Sequence, residues 1–220
     1  MKILGINASP RGSRSSTLKL VNAVLEGAKA AGSEVELVDL CSLRIEYCDA
    51  CQACYRKGAC TKEDDFQGLY ERILACDGMV WGSPNYFRSV TAQMKTLIDR
   101  MADAIHCQLL TGKYCCCVAT GGSNYDQVTE YLSALLISFG AFVTGSVGAE
   151  MSRGPSALEE AERRASELGR ALVEDIRVGR EYTEQRLMHA DNRRHFMNLV
   201  RMHGKEWAHE YEHWNRLGWR

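Results

Sequence analysis

Four cysteines fall within thirteen residues, Cys48, Cys51, Cys54 and Cys60, at the spacing C-x2-C-x2-C-x5-C. On a continuous helix, thiols three apart drift by about 60° at each step and splay along an arc. The spacing therefore predicts a chain that wraps around a compact object. Three close thiolates with a fourth slightly later suit a cubane iron–sulfur cluster. The alternatives are zinc, which more often takes two separated CxxC pairs, and free or redox-active thiols. Disulfides at so short a spacing would be strained. The other six cysteines read differently. Cys115, Cys116 and Cys117 stand in an apolar run, where alternate side chains point to opposite faces and cannot converge on one metal. Cys41, Cys76 and Cys107 are isolated.

A second constellation is Ser9-Pro10-Arg11-Gly12-Ser13-Arg14-Ser15-Ser16-Thr17, between an apolar run and a helical pattern. A helix start offers free N–H groups and the positive end of its dipole, and these hydroxyls and Arg11 add donors. No GxGxxG or GxxxxGK[ST] pattern is present, which argues against a dinucleotide fold of the usual kind and against an ATPase. A single phosphate, as in a mononucleotide, fits better. Gly82-Ser83-Pro84-Asn85-Tyr86-Phe87 and Thr120-Gly121-Gly122-Ser123 each follow another apolar run. Proline holds the first of these loops open, Tyr86 and Phe87 could lie against a flat ring, and the glycines allow a close backbone approach.

These loops need a scaffold, and the apolar periodicity supplies one. Strands are expected at Lys2–Ile6, Glu34–Leu40, Gly78–Gly82, Tyr114–Ala119 and Phe142–Val147. Helices are expected at Thr17–Ala31, Asp65–Leu74, Val90–Ala104, Tyr125–Phe139 and Ala157–Ile176. Such alternation predicts right-handed crossovers, a parallel sheet and a three-layer α/β sandwich. Ligands then sit outside the strand carboxyl ends, where all three loops emerge. Residues 41–62 form a long connection that should hold something.

The 220 residues are 45% hydrophobic and 25% charged, ordinary globular values. With 27 basic against 28 acidic residues, no polyanion such as nucleic acid is an expected partner. No apolar run nears the ~20 residues of a membrane span, and no export signal is evident, so a cytoplasmic location is expected.

The residues also resemble a family. Ser9-Pro10-Arg11 with Ser15-Ser16-Thr17, the four-cysteine loop, Gly82-Ser83-Pro84-Asn85-Tyr86, and Val90-Thr91-Ala92-Gln93-Met94-Lys95 with Asp99-Arg100 look like the iron–sulfur flavoproteins. These belong to the wider NAD(P)H-dependent flavin reductase group. The resemblance covers about residues 1–150 and implies a flavodoxin-like sandwich with strand order 2-1-3-4-5. It also implies FMN, with its phosphate on Ser9, Arg11, Ser15, Ser16 and Thr17. The ring would then lie against Pro84, Asn85, Tyr86, Phe87, Thr120, Gly121 and Gly122. The family's 4Fe–4S ligands fall on Cys48, Cys51, Cys54 and Cys60, and its members are dimers or tetramers. Ser16 stands where many relatives carry asparagine, and Asn85 where they usually carry valine or another small residue.

The division expected is an FMN-binding domain over 1–150 and a helical extension over 151–220. The extension holds five of the six histidines (189, 195, 203, 209 and 213) and a helical stripe from Arg193 to Trp214. Its aromatic face is expected to dock on a neighbouring subunit. The function implied is an FMN-dependent oxidoreductase exchanging electrons with a ferredoxin-like carrier. The alternatives are an NAD(P)H-dependent flavin or quinone reductase without a working cluster, and a non-catalytic flavin-binding or redox-sensing module. No catalytic residue is assigned.

Overall fold

A computed structural model describes residues 1–219. The apolar runs form β1 (Lys2–Asn7), β2 (Glu34–Asp39), β3 (Gly78–Pro84), β4 (Tyr114–Gly121) and β5 (Phe142–Glu150). They pair in parallel in the order β2-β1-β3-β4-β5, as the flavodoxin-like reading expected. The whole of β4 is buried, and all of β3 but Pro84. This is why they read as unbroken apolar runs while edge strand β2 alternates glutamate with valine and leucine. At the other edge, the Gln185 side chain bonds both the N–H and the C=O of Val143, blunting β5.

On one face of the sheet pack α1 (Ser16–Ala30) and α7 (Pro155–Val178). They approach so closely that a Cβ on Gly169 would stand 2.0 Å from the Val24 carbonyl oxygen. Helix α7 thus completes the sandwich. The other face carries α3 (Phe66–Ala75), α4 (Ala92–Arg100), α5 (Ala102–His106) and α6 (Tyr125–Ser138), with Trp81, Met79, Cys115 and Cys117 beneath them. Cys116 points to the α1 side, as strand alternation requires. A short helix, α2 (Ala53–Lys57), lies within the cysteine loop.

Two helices differ from expectation. The helix read over Val90–Ala104 breaks at Met101, whose ψ of 29° leaves the helical region. The C-terminal stripe is also two helices, α8 (Thr183–His203) and α9 (Ala208–Arg216), joined by a 3-10 turn at Gly204, which has φ +53°. Its apolar face, expected to meet a neighbouring subunit, is instead covered within the chain. Trp207, Trp214, Val200 and Met197 form a small core with Tyr55 of the cysteine loop. No helix among the described residues is long and apolar enough to cross a membrane.

Candidate functional site: two concavities joined by a helix

At the carboxyl end of the sheet a cleft of about 720 Å³ is lined by Ser9, Arg11, Ser16, Thr17, Pro84, Asn85, Tyr86, Thr120, Gly121, Gly122 and Met151. Ten of the twelve residues expected around a mononucleotide meet there. Ser15 does not line it. Its buried side chain caps α1, accepting from the Leu18 N–H at 3.0 Å, and so holds in place the helix end that faces the cleft. Phe87 is fully exposed, with φ +52°, and does not line the cleft. Met151 was missed in the sequence, although the end of β5 emerges on the same rim.

The cleft walls are stitched together. The Thr17 and Thr120 hydroxyl oxygens lie 2.6 Å apart, tying the first loop to the one after β4. Asn85 donates to the Ser123 and Asn124 carbonyls at 2.8 and 3.0 Å. Its Oδ1 is buried without a partner among the described residues, an acceptor suited to a ring with N–H groups on its edge. A Cβ on Gly122 would meet nothing within 4 Å, whereas one on Gly121 would stand 2.8 Å from the Ser123 oxygen. The first glycine thus holds the loop tight and the second leaves room. These features fit a flat heterocycle carrying a phosphate.

The second concavity, of about 530 Å³, is lined by all four clustered cysteines together with Lys62 and Arg100, among others. Cys48 and Cys51 are exposed, and Cys54 and Cys60 half-buried. Two non-glycine residues between them, Ala50 and Gln52, take left-handed φ values of 56° and 59°. The chain therefore turns between successive cysteines rather than running on as a helix. The Ala50 N–H reaches the Cys48 sulfur at 3.5 Å. Among the described residues no group of three or more His, Cys, Asp or Glu is drawn together as a metal site. Burial, aided by Asp103, pushes the Cys54 thiol up to about 12.

The loop's two ends are fastened by a residue that the sequence flagged only as part of a motif. Arg100, 3% exposed, donates from Nη1 to Asp64 Oδ2 at 2.6 Å and to the Glu46 carbonyl at 2.8 Å. Nη2 reaches Asp64 Oδ1 at 3.2 Å. Asp64 also accepts from the N–H groups of Glu46 and Phe66. Although burial opposes ionisation, the Arg100 bond and these N–H groups hold its carboxyl below the usual range. The nearest signal in the sequence was Asp99-Arg100 itself, but its partner lies 36 residues away.

Below the loop, α9 packs on α2 and α5. The Trp207 indole N–H donates to Gln52 at 3.4 Å, and the Trp214 N–H to the His106 carbonyl at 3.1 Å. The buried Glu210 carboxylate meets His106 Nδ1 at 3.1 Å from both oxygens. Burial holds Glu210 above the usual carboxylate range against the pull of His106.

A parallel sheet in this order, with a cleft at its carboxyl edge, defines a flavodoxin-like protein. Residues 1–156 match the family described as NADPH-dependent FMN reductase. An iron–sulfur flavoprotein of Archaeoglobus fulgidus is 32% identical over 99% of this chain and 99% of its own length. One from Methanosarcina thermophila is 38% identical over 46% of this chain and 52% of its own length. Among solved structures, an FMN-dependent NADH-azoreductase of Bacillus anthracis in complex with FMN superposes with a TM-score of 0.64 at 17% identity, covering 79% of this chain and 100% of that one. At that identity the likeness shows the fold alone. The chain belongs to the NADPH-dependent FMN reductase family, among its iron–sulfur flavoproteins, and is an FMN-dependent oxidoreductase.

Proposed function

We propose that this oxidoreductase carries FMN in the sheet-edge cleft and a 4Fe–4S cluster on Cys48, Cys51, Cys54 and Cys60, and passes electrons between FMN and a ferredoxin-like one-electron carrier. NAD(P)H is the alternative donor. When bound, FMN exchanges electrons in pairs or singly and the cluster exchanges them singly, so together they join two-electron to one-electron chemistry. The first N–H groups of α1, capped by Ser15, with Ser9, Ser16 and Thr17, hold the phosphate, and the exposed Arg11 closes over it. Pro84 fixes the backbone beside the ring while Tyr86 and Asn85 meet its face and polar edge. Thr120, Gly121 and Gly122 form the opposite wall. Phe87, standing free beside Tyr86, belongs to the rim that a second subunit would cover in a homodimer or tetramer.

The observation that carries this reading is that all four clustered cysteines line one concavity, separate from the nucleotide cleft. The cysteines fit a cluster on donor chemistry: four thiols, a backbone N–H against one sulfur, and a buried N–H of Arg100 left unmatched in the wall. Anaerobic purification, with absorption spectra and iron and sulfide counts, tests it. A brown protein with about four irons and four sulfides per chain is expected. A yellow, iron-free protein bleached rapidly by NADPH refutes the cluster and leaves a flavin or quinone reductase. Failure to turn over any electron acceptor would leave only a binding or sensing module.

A further inference from the structure

We propose that Arg100 is the positioning residue of the cysteine centre, a fixed buried positive charge that raises the reduction potential of whatever cluster the four thiolates hold. This rests on the cluster reading above and goes further, since neither thiol spacing nor family says what sets the centre's potential. The guanidinium is embedded more deeply than a loop clamp requires. Its side chain is 1% exposed and that of Asp64 0%, and the Phe66 ring lies against it with its centroid 4.5 Å from Cζ. Both Nη atoms face Asp64. The third nitrogen, Nε, is buried with no hydrogen-bond partner among the described residues, although Arg100 lines the concavity.

A buried N–H without an acceptor costs about 1–3 kcal/mol. It is accounted for if an acceptor stands in the concavity, and thiolate or cluster sulfur is the acceptor that this wall offers. Cys60 lines the same concavity as Arg100. Asp64 compensates the guanidinium charge only in part, because its oxygens are shared with the Glu46 and Phe66 N–H groups. Hydrogen bonds to sulfur and nearby charge are among the factors that set cluster potentials. A cation next to the centre favours the state with one more electron.

The test compares wild type, Arg100→Gln, Arg100→Lys and Asp64→Asn, purified without air, by iron and sulfide content and by a redox titration followed by electron paramagnetic resonance. Arg100→Gln is expected to lower the ratio of reduced to oxidised cluster at a fixed ambient potential at least tenfold. For one electron that is a shift of about 59 mV to the negative. Asp64→Asn, which unmasks the cation, should move it to the positive, and Arg100→Lys should lie between wild type and Arg100→Gln. The flavin potential should not move. A clamp that merely orders the loop would shift Arg100→Gln and Asp64→Asn in the same direction, and that result overturns the inference. If Arg100→Gln cannot retain iron, the sign of the Asp64→Asn shift decides, positive supporting and negative or null refuting. An iron-free wild type removes the cluster reading and this inference together. A fully loaded wild type with an unmoved Arg100→Gln potential removes this inference alone.

Discussion

Replacing Trp214 by alanine tests whether the C-terminal helices stabilise the cysteine loop from within the chain. Trp214 is fully buried, packs in the small core with Trp207, Val200 and Tyr55, and donates its indole N–H to the His106 carbonyl. Truncating a buried tryptophan costs about 3–5 kcal/mol. Because α9 sits outside the main sheet cores, the cost falls on docking of this cap rather than on global unfolding. At 1.4 kcal/mol per decade, about 4 kcal/mol lowers the ratio of docked to released cap by roughly a thousandfold. Hydrogen exchange by mass spectrometry should show faster exchange in residues 204–219 and in α2. Alkylation of Cys54 in metal-free protein should accelerate with it, because Tyr55, the residue after it, packs at a tilt against Trp207 with centroids 4.7 Å apart. FMN affinity should stay within about threefold of wild type, since the cap contributes no residue to the nucleotide cleft. Unchanged exchange in α9 would refute the docking. A parallel loss of FMN would refute the independence of the two sites.

Three further outcomes probe the cleft and the extension. Thr120→Val leaves the buried Thr17 hydroxyl unpaired, a cost of about 1–3 kcal/mol; the denaturation midpoint of the flavin-free protein should fall and FMN titration should show weaker binding. Gly122→Val enters open space and should leave the flavin-free stability unchanged while weakening FMN at least tenfold, or about 1.4 kcal/mol, whereas Gly121→Ala should destabilise the fold by about 1–3 kcal/mol through its contact with the Ser123 carbonyl. Burial lowers the His189 pKa although its Nε2–H donates to the Ala141 carbonyl at 3.0 Å. The unfolded state therefore binds the proton more readily, so this contribution is complete above about pH 6.5 and is lost as pH falls. Urea midpoints at pH 7.5 and 5.5 should differ less in His189→Gln than in wild type.

The sheet was legible because β1, β3 and β4 are buried on both faces and read as apolar runs, and because each ends in a loop rich in glycine, proline or hydroxyls. The same regularity brings ten of the residues read for a mononucleotide to one cleft, since parallel strands deliver their C-terminal loops to one edge. What stayed illegible depended on partners distant in sequence. Ser15 looked like a phosphate donor, but a cap and a ligand contact draw on the same hydroxyl chemistry, and the tertiary position of α1 decides between them. Only Met197 and Val200, in the second half of α8, are buried, so residues 183–192, with Leu187 and Met188 exposed, gave no clear periodic signal. The stripe from Phe196 to Trp214 was visible, yet amphipathicity does not say which surface covers it. The Tyr55 side of the cysteine loop does so here, and nothing in either segment alone names the other.

Helix α4 gives the two concavities a common frame. At its start, Thr91 caps the helix by accepting from the Met94 N–H, donates its hydroxyl to the Ala8 carbonyl, and donates its own N–H to Ser83 Oγ. That end is thereby fixed to the β1 and β3 loops of the nucleotide cleft. At its other end Arg100 fastens the cysteine loop through Asp64 and Glu46. Nine residues at 1.5 Å each make a rod of about 13 Å. Under the proposed function, electron exchange between two centres requires a separation that does not wander. A helix buried along Met94, Leu97 and Ile98 meets that need better than a loop. One inserted residue would turn Arg100 by about 100° and withdraw it from Asp64. The constraint therefore lies on the length and phase of α4, and the cysteine loop follows wherever Arg100 points.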